Sequence, residues 1–285
     1  MPEYPEVTVV RKTLQNEVKG HKILNVKIFD PKFIKNASAK DFINFVKGEI
    51  IEDISNVGKF LVFHLSNNKR FLSHLRMEGK YYIRDEQVLE NYHFKHDYLY
   101  FYLENKGVLA YNDTRKFGSF EILDPSENDV SIHELKNLAQ LPAFVDVDQL
   151  YNKLQKSNKS IKTILLDQSL ILGIGNIYAD ESLYHCNIFP MTKAKDLSKE
   201  QLKNLLNTAQ EIMDQSIVAG GSSVHSYQSV NGVIGTFQNE LKVYGKAKSV
   251  CMKCKRSEIV KVKLDFKPNG RGTSYCPVCQ KDPYE

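Results

Sequence analysis

Polar and apolar residues alternate in short runs through the first half of the chain and recur at helical spacing through the second. After Pro5 the pattern predicts a helix over Val7–Val18, closed near Gly20. Ile23–Phe29 then alternates, and Lys59–Leu65 alternates more cleanly. Phe71–Met77 and Lys80–Ile83 flank a tight turn at Glu78-Gly79, while Tyr98–Leu103 and Val108–Tyr111 flank Asn105-Lys106-Gly107, which reads as a hairpin loop. Many short strands without intervening helices imply an antiparallel sandwich or barrel ending near Pro125.

From Ser131 the period changes. Helices are expected at Asp148–Gln155, Ile161–Leu166, Ile177–His185 and Lys199–Ala219. The last has a capping box, Ser198 with Gln201, and an apolar stripe at Leu202, Leu205, Leu206, Ala209 and Met213. Gly220-Gly221 ends it and opens a Gly/Ser-rich segment that runs to Gly235. The expected class is α+β in two domains: sheets over 1–130, a linker over 131–147, helices over 148–240, and a cysteine-bearing tail over 241–285. No internal repeat or low-complexity tract interrupts this order.

A chain of 285 residues can build two hydrophobic cores. It has neither an apolar run of membrane-spanning length nor a charged-then-apolar signal segment, so a soluble cytoplasmic protein is expected. The net charge of +5 is unevenly spread: from Leu241 to Gln280, ten Lys or Arg face two acids, Glu258 and Asp265. Such a tail suits a polyanion, of which nucleic acid is the commonest, although a solvated basic surface has the same composition. Cys251-x-x-Cys254 and Cys276-x-x-Cys279 have the spacing of a structural tetrathiolate zinc site. Two disulfides would require an oxidising compartment, which nothing in the sequence supports. Cys186 stands alone beside an apolar stretch and reads as a buried small residue.

Three stretches carry candidate chemistry. In Met1-Pro2-Glu3-Tyr4-Pro5-Glu6, Pro5 and Glu6 suit the first turn of a helix. If Met1 is removed, Pro2 also becomes a terminal secondary amine, and an α-amino pKa of about 8 leaves a useful fraction able to attack an electrophilic carbon. Glu3 beside it could move a proton. Both readings can hold together. Gly173-Ile174-Gly175-Asn176 precedes a helix, with Lys159 and Lys162 upstream, and suits either a DNA-backbone contact or a plain packing turn. In Asn112-Asp113-Thr114-Arg115-Lys116-Phe117-Gly118, Arg115 and Phe117 suit a wedge into a base stack, with Met77 as a second element, or ordinary core positions.

In combination these pieces resemble a known family. Pro2-Glu3-x-Pro5-Glu6, Gly58-Lys59-Phe60, His74-Leu75-Arg76-Met77-Glu78-Gly79, Asp113-x-Arg115-Lys116-Phe117-Gly118, Gly173-x-Gly175-Asn176-Ile177-Tyr178 and the paired cysteines occur in the order found in bacterial formamidopyrimidine-DNA glycosylases, relatives of endonuclease VIII. The resemblance implies an N-terminal β-sandwich, then a helix–two-turn–helix domain and a C-terminal zinc finger holding one structural zinc ion. It implies a monomer that acts on double-stranded damaged DNA, excising 8-oxoguanine and ring-opened purines and then cutting the strand. Pro2 would be the nucleophile on the sugar C1′, Glu3 the proton donor, Lys59 the group serving β-elimination, and Arg271 the group for δ-elimination and a phosphate contact. His96, Arg115, Lys159, Lys162 and Asn176 would contact DNA or the lesion; Met77, Arg115 and Phe117 would fill the gap left by the flipped base. Tyr4 stands where leucine is usual, and Asn56-Val57 where basic residues often precede the lysine. An endonuclease VIII type for oxidised pyrimidines is the nearer alternative, opposed by the Met77, Arg115 and Phe117 set. A non-catalytic zinc-finger DNA-binding protein is opposed by the joint presence of Pro2, Glu3 and Lys59.

Overall fold

The computed structural model describes residues 2–127, 130–223 and 230–285. The chain divides into two units, one built from Met1–Ser131 with Ala219–Thr236 and the other from Ile132–Val218 with Phe237–Glu285.

In the first unit α1 (Tyr4–Val18) starts directly behind Glu3, earlier than the apolar period suggests, because Pro5 and Glu6 fit its first turn. The alternating runs become β1 (Ile23–Ile28), β2 (Ile51–Val57), β3 (Phe60–Leu65), β4 (Arg70–His74), β5 (Lys80–Arg84), β6 (Asp97–Leu103), β7 (Gly107–Asn112) and β8 (Ser119–Leu123). They form two four-stranded antiparallel sheets, ordered β1-β6-β7-β5 and β2-β3-β4-β8. Two short helices, α2 (Ala39–Val46) and α3 (Glu86–Asn91), were not legible from the alternation. Ser38 caps α2 by accepting from the Asp41 amide.

The inner faces of the sheets close a core rich in phenylalanine. Phe71 stacks on Phe63 at 4.4 Å and on Phe101 across the core at 6.0 Å, while Phe42 from α2 meets Phe71, Phe101 and Phe120 edge-on. The β6–β7 hairpin forms as the sequence suggests, with Leu103 opposite Gly107. The Glu78-Gly79 turn does not join paired strands. β4 pairs with β3 and β8 while β5 pairs with β7, so the chain leaves one sheet there and enters the other. The Gly79 amide donates to Leu75 O at 3.0 Å, giving a helical turn where a hairpin turn would need a two-residue reversal.

Ala219–Thr236, which the sequence groups with the helices, packs instead with the strands. Val230 is buried in the same core as α1, and the Ile83 amide at β5 donates to Asn231 Oδ1 at 2.8 Å. Within the Gly220–Gly235 segment, residues 224–229 lie outside the described residues.

The second unit holds α4 (Ile132–Leu135), α5 (Val147–Leu154), α6 (Ile161–Leu166), α7 (Asn176–His185) and α8 (Lys199–Val218), then the two-stranded antiparallel ribbon β9 (Val260–Lys263) and β10 (Gly272–Tyr275). Ser198 and Gln201 cap α8 reciprocally, and its stripe at Leu202, Leu205, Leu206, Ala209 and Met213 is buried. Among the described residues no helix is long and apolar enough to cross a membrane.

Candidate functional site

Pro2 and Glu3 are buried at the amino end of α1, with Glu3 only 3% exposed. The helix dipole directs its positive end at this point, a setting that disfavours an ammonium and favours a neutral amine or an anion. Glu6 organises the surroundings with both carboxylate oxygens: Oε2 accepts from the Glu3 amide at 2.8 Å, and Oε1 accepts from the Ser222 amide at 2.9 Å. The neighbouring Gly221, at φ +82°, passes against the Glu6 side chain. Lys59 is half-buried in the tight link between β2 and β3. That link is tied to α1 by Asn56, whose Nδ2 donates to Thr8 Oγ1 at 3.1 Å. Asn56 is one of the departures from the family pattern, and here it anchors the turn that carries the lysine.

A second cluster gathers Met77, Arg115 and Phe117. Arg115 Nη1 donates to Met77 Sδ at 3.1 Å and its guanidinium lies 5.0 Å from the centre of the Phe117 ring. Phe117 is 52% exposed, so it is not a core residue. His96 has a left-handed backbone (φ +70°) and its carbonyl accepts from the Asp113 amide at 3.0 Å, which joins it to the base of the same loop.

In the second unit Arg271 and Lys159 are exposed. Lys162 requires a correction. It has no exposure, its Nζ lies 2.6 Å from Asp180 Oδ1, and it donates to Gly272 O and Thr273 Oγ1, both at 3.0 Å. An ammonium buried behind an ion pair cannot reach a DNA phosphate or a lesion. Asn176 spends its amide in the same place, Nδ2 donating to Gly272 O at 3.0 Å. Both residues therefore brace the strand that follows Arg271. The next acid on α7, Glu181, accepts from the amides of Lys242, Val243 and Tyr244.

The four paired cysteines are free thiols, with all their sulfurs within 4.8 Å of one another. A tetrahedral zinc with bonds of about 2.3 Å needs sulfurs about 3.8 Å apart. Cys251 and Cys279 are separated by 3.8 Å, and Cys254 and Cys276 by 3.7 Å. The donor set fits a metal ion of this kind.

Glu6, Asp113, Asp180 and Glu181 escaped the sequence reading as individual functional groups. Glu6 has a local signature, an acid three residues after the N-cap, and Asp113 stands ahead of a turn, where aspartate accepts from following amides. The two acids of α7 offer no such sign.

Residues 1–120 match the formamidopyrimidine-DNA glycosylase N-terminal domain, and residues 139–228 match the formamidopyrimidine-DNA glycosylase H2TH domain. The chain belongs to this family. It is 46% identical over 281 residues to the formamidopyrimidine-DNA glycosylase of Mycoplasmopsis pulmonis, covering 99% of this chain and 98% of that one. The Listeria monocytogenes strain EGD-e enzyme is 40% identical, over 99% of this chain and all of its own. Among solved structures, a mutant Lactococcus lactis FPG in complex with Fapy-dG-containing DNA superposes with a TM-score of 0.90 at 36% identity, covering 99% of this chain and 100% of that one. The L. lactis Fpg with an abasic site-containing DNA gives 0.89 at the same identity and coverage.

Proposed function

We propose that this protein removes oxidised purines, chiefly 8-oxoguanine and formamidopyrimidines, from duplex DNA and then cleaves the strand, with Pro2 as the covalent nucleophile. The buried Pro2-Glu3 pair at the positive end of α1 carries this reading. With Met1 removed, the Pro2 nitrogen attacks C1′ of the damaged nucleotide, the base leaves with a proton from Glu3, the nitrogen loses its proton, and breaking of the C1′–O4′ bond with uptake of a proton on O4′ gives an iminium. The iminium acidifies the C2′ proton; its removal expels the 3′ phosphate, with Lys59 assisting, and a second elimination at the 5′ side is assisted by Arg271.

A base inside a duplex is out of reach, so it must be extruded at a cost of a few kcal/mol. Met77, Arg115 and Phe117 would occupy the space it leaves, and Arg115 and His96 would hold the backbone. Lys159 and Asn176 would act on the DNA-facing side of the second unit, Asn176 through the strand that follows Arg271. A zinc ion on Cys251, Cys254, Cys276 and Cys279 would hold that strand in a rigid hairpin. The enzyme would act as a monomer in the bacterial cytoplasm. The Fapy-dG and abasic-site DNA bound by the similar L. lactis proteins support this substrate class, and the intact Met77, Arg115 and Phe117 set favours it over oxidised pyrimidines.

The test is borohydride trapping on an 8-oxoguanine duplex with mapping of the cross-linked peptide. The adduct is expected at residue 2, and an extra residue retained before Pro2 should abolish it while lesion binding persists. An adduct on Lys59, or normal trapping by the blocked protein, overturns the mechanism.

A further inference from the structure

The loop that bears Arg115 and Phe117 is built around one buried side chain. Asp113, with no exposure, directly follows β7. Its Oδ1 accepts from the amides of Arg115 and Lys116 at 2.9 and 3.0 Å, and its Oδ2 from those of Phe117 and Gly118 at 3.0 and 2.8 Å. Four successive amides thus converge on one carboxylate, and they belong to the residues that form the wedge and its immediate flank.

The floor under this loop is Tyr111. A Cβ at Gly118 would lie 1.7 Å from the Tyr111 hydroxyl, and a Cβ at Gly79, two residues beyond Met77, would lie 2.4 Å from it. One hydroxyl therefore sits beneath both loops, and only glycine allows either to approach it. Burial and the adjacent Asp113 carboxylate hold the Tyr111 phenol well above its usual pKa, so it keeps its proton. Left-handed backbone recurs at Arg76 (φ +53°), His96 (φ +70°) and Lys116 (φ +57°), next to Met77, at the Asp113 contact and next to Phe117. Such conformations are uncommon for these residue types and persist only where surrounding contacts impose them. Lys116 is further tied to Asp30 Oδ2 at 3.2 Å.

We propose that Asp113 is the positioning residue of the wedge: its carboxylate sets the height and direction of Arg115 and Phe117 over Met77, while it touches neither DNA nor the reacting atoms. This rests on the wedge role of Phe117 given above. The loop's preorganisation spares the binding step the ordering of its backbone. Asp113→Asn keeps one acceptor oxygen and replaces the other by a donor, so the Phe117 and Gly118 amides, or their equivalents, lose their partner.

The experiment uses the whole chain and an 8-oxoguanine duplex for turnover. The sequence contains no tryptophan, so Phe117→Trp places a single, selectively excitable tryptophan at the wedge tip, read on binding a duplex with a tetrahydrofuran abasic analogue. Asp113→Asn is expected to slow single-turnover excision by about tenfold, the scale of one lost charge-assisted hydrogen bond. It should also largely suppress the emission change of Phe117→Trp, and should slow cleavage at a preformed abasic site much less, because no base has to be extruded there. Combined with Phe117→Ala it should add clearly less than its own single loss, since part of its effect passes through the Phe117 side chain. Normal excision by Asp113→Asn beside an impaired Phe117→Ala overturns the positioning role and leaves the wedge standing, as does a fully additive double variant. Normal excision by Phe117→Ala removes the wedge reading and this inference with it. Thermal unfolding accompanies each variant; if Asp113→Asn does not fold, Asp113→Ser, which keeps a short acceptor, is read by the same criteria.

Discussion

Lys162 Nζ lies 2.6 Å from Asp180 Oδ1, and neither side chain is exposed to solvent. Burial pushes the Asp180 carboxyl up to about 7, against the pull of the Lys162 ammonium and the Ser274 amide. Removing the cation leaves that carboxyl without its counter-charge. Lys162→Met should therefore destabilise the protein by about 3–5 kcal/mol, and Lys162→Met with Asp180→Leu should recover much of the loss. The sign with pH follows from the raised value. The folded state holds the proton more tightly than the unfolded one, so stability from this group falls as pH rises from 3.8 to about 7 in the parent protein. In Lys162→Met the fall extends to higher pH, so the deficit should be larger at about pH 8 than at about pH 6. Urea unfolding at the two pH values checks this; an equal deficit counts against it.

Zinc removal should disable DNA binding before it disables the sheets. Cys276→Ser is expected to lose metal and duplex affinity together, because β10 runs from just after Arg271 to just before Cys276. Metal content by atomic absorption and duplex binding by anisotropy are the measurements. Normal binding by a metal-free variant would separate the two.

On the proposed mechanism Lys59 and Pro2 divide the chemistry. Lys59→Ala should slow excision or scission yet still give a borohydride adduct at residue 2. Loss of all trapping in a folded Lys59→Ala protein that still binds lesion DNA would assign the imine to the lysine instead.

Glu6→Gln leaves a single acceptor oxygen for two amides, those of Glu3 and Ser222. A stability loss of about 1–3 kcal/mol is expected from the orphaned donor. Cleavage by a protease between Ala219 and Thr236 should also become faster, because one tether of that segment is gone. Unchanged cleavage would show that Val230 and Asn231 suffice to hold it.

Much of the fold was legible because its signals are local. Alternation located most strands, Ser198 and Gln201 announced α8, and the cysteine spacing announced the cluster that the sulfur separations bear out. What stayed hidden depends on distant partners. Nothing near Glu78-Gly79 tells that β4 and β5 belong to different sheets, since that choice is made by β3, β8 and β7. Lys162 illustrates the same limit at the candidate site. A lysine two residues into a helix looks solvated and cationic, and only the fold supplies Asp180, Gly272 and Thr273 to bury it. Val230 and Asn231 likewise sit in a Gly/Ser-rich stretch, and their seat lies against strands made far earlier in the chain.

That last arrangement has a consequence for synthesis. A ribosome completes every strand of the first unit and then makes all of α4 to α8 before it reaches Ala219–Thr236, the piece that finishes the same unit. At about 5–20 residues per second the wait is on the order of ten seconds. During it Glu6 lacks the Ser222 amide, and the core lacks Val230. A fragment ending at Ser131 is thus a sandwich with part of its own filling missing, and neither unit can be cut free without taking something from the other.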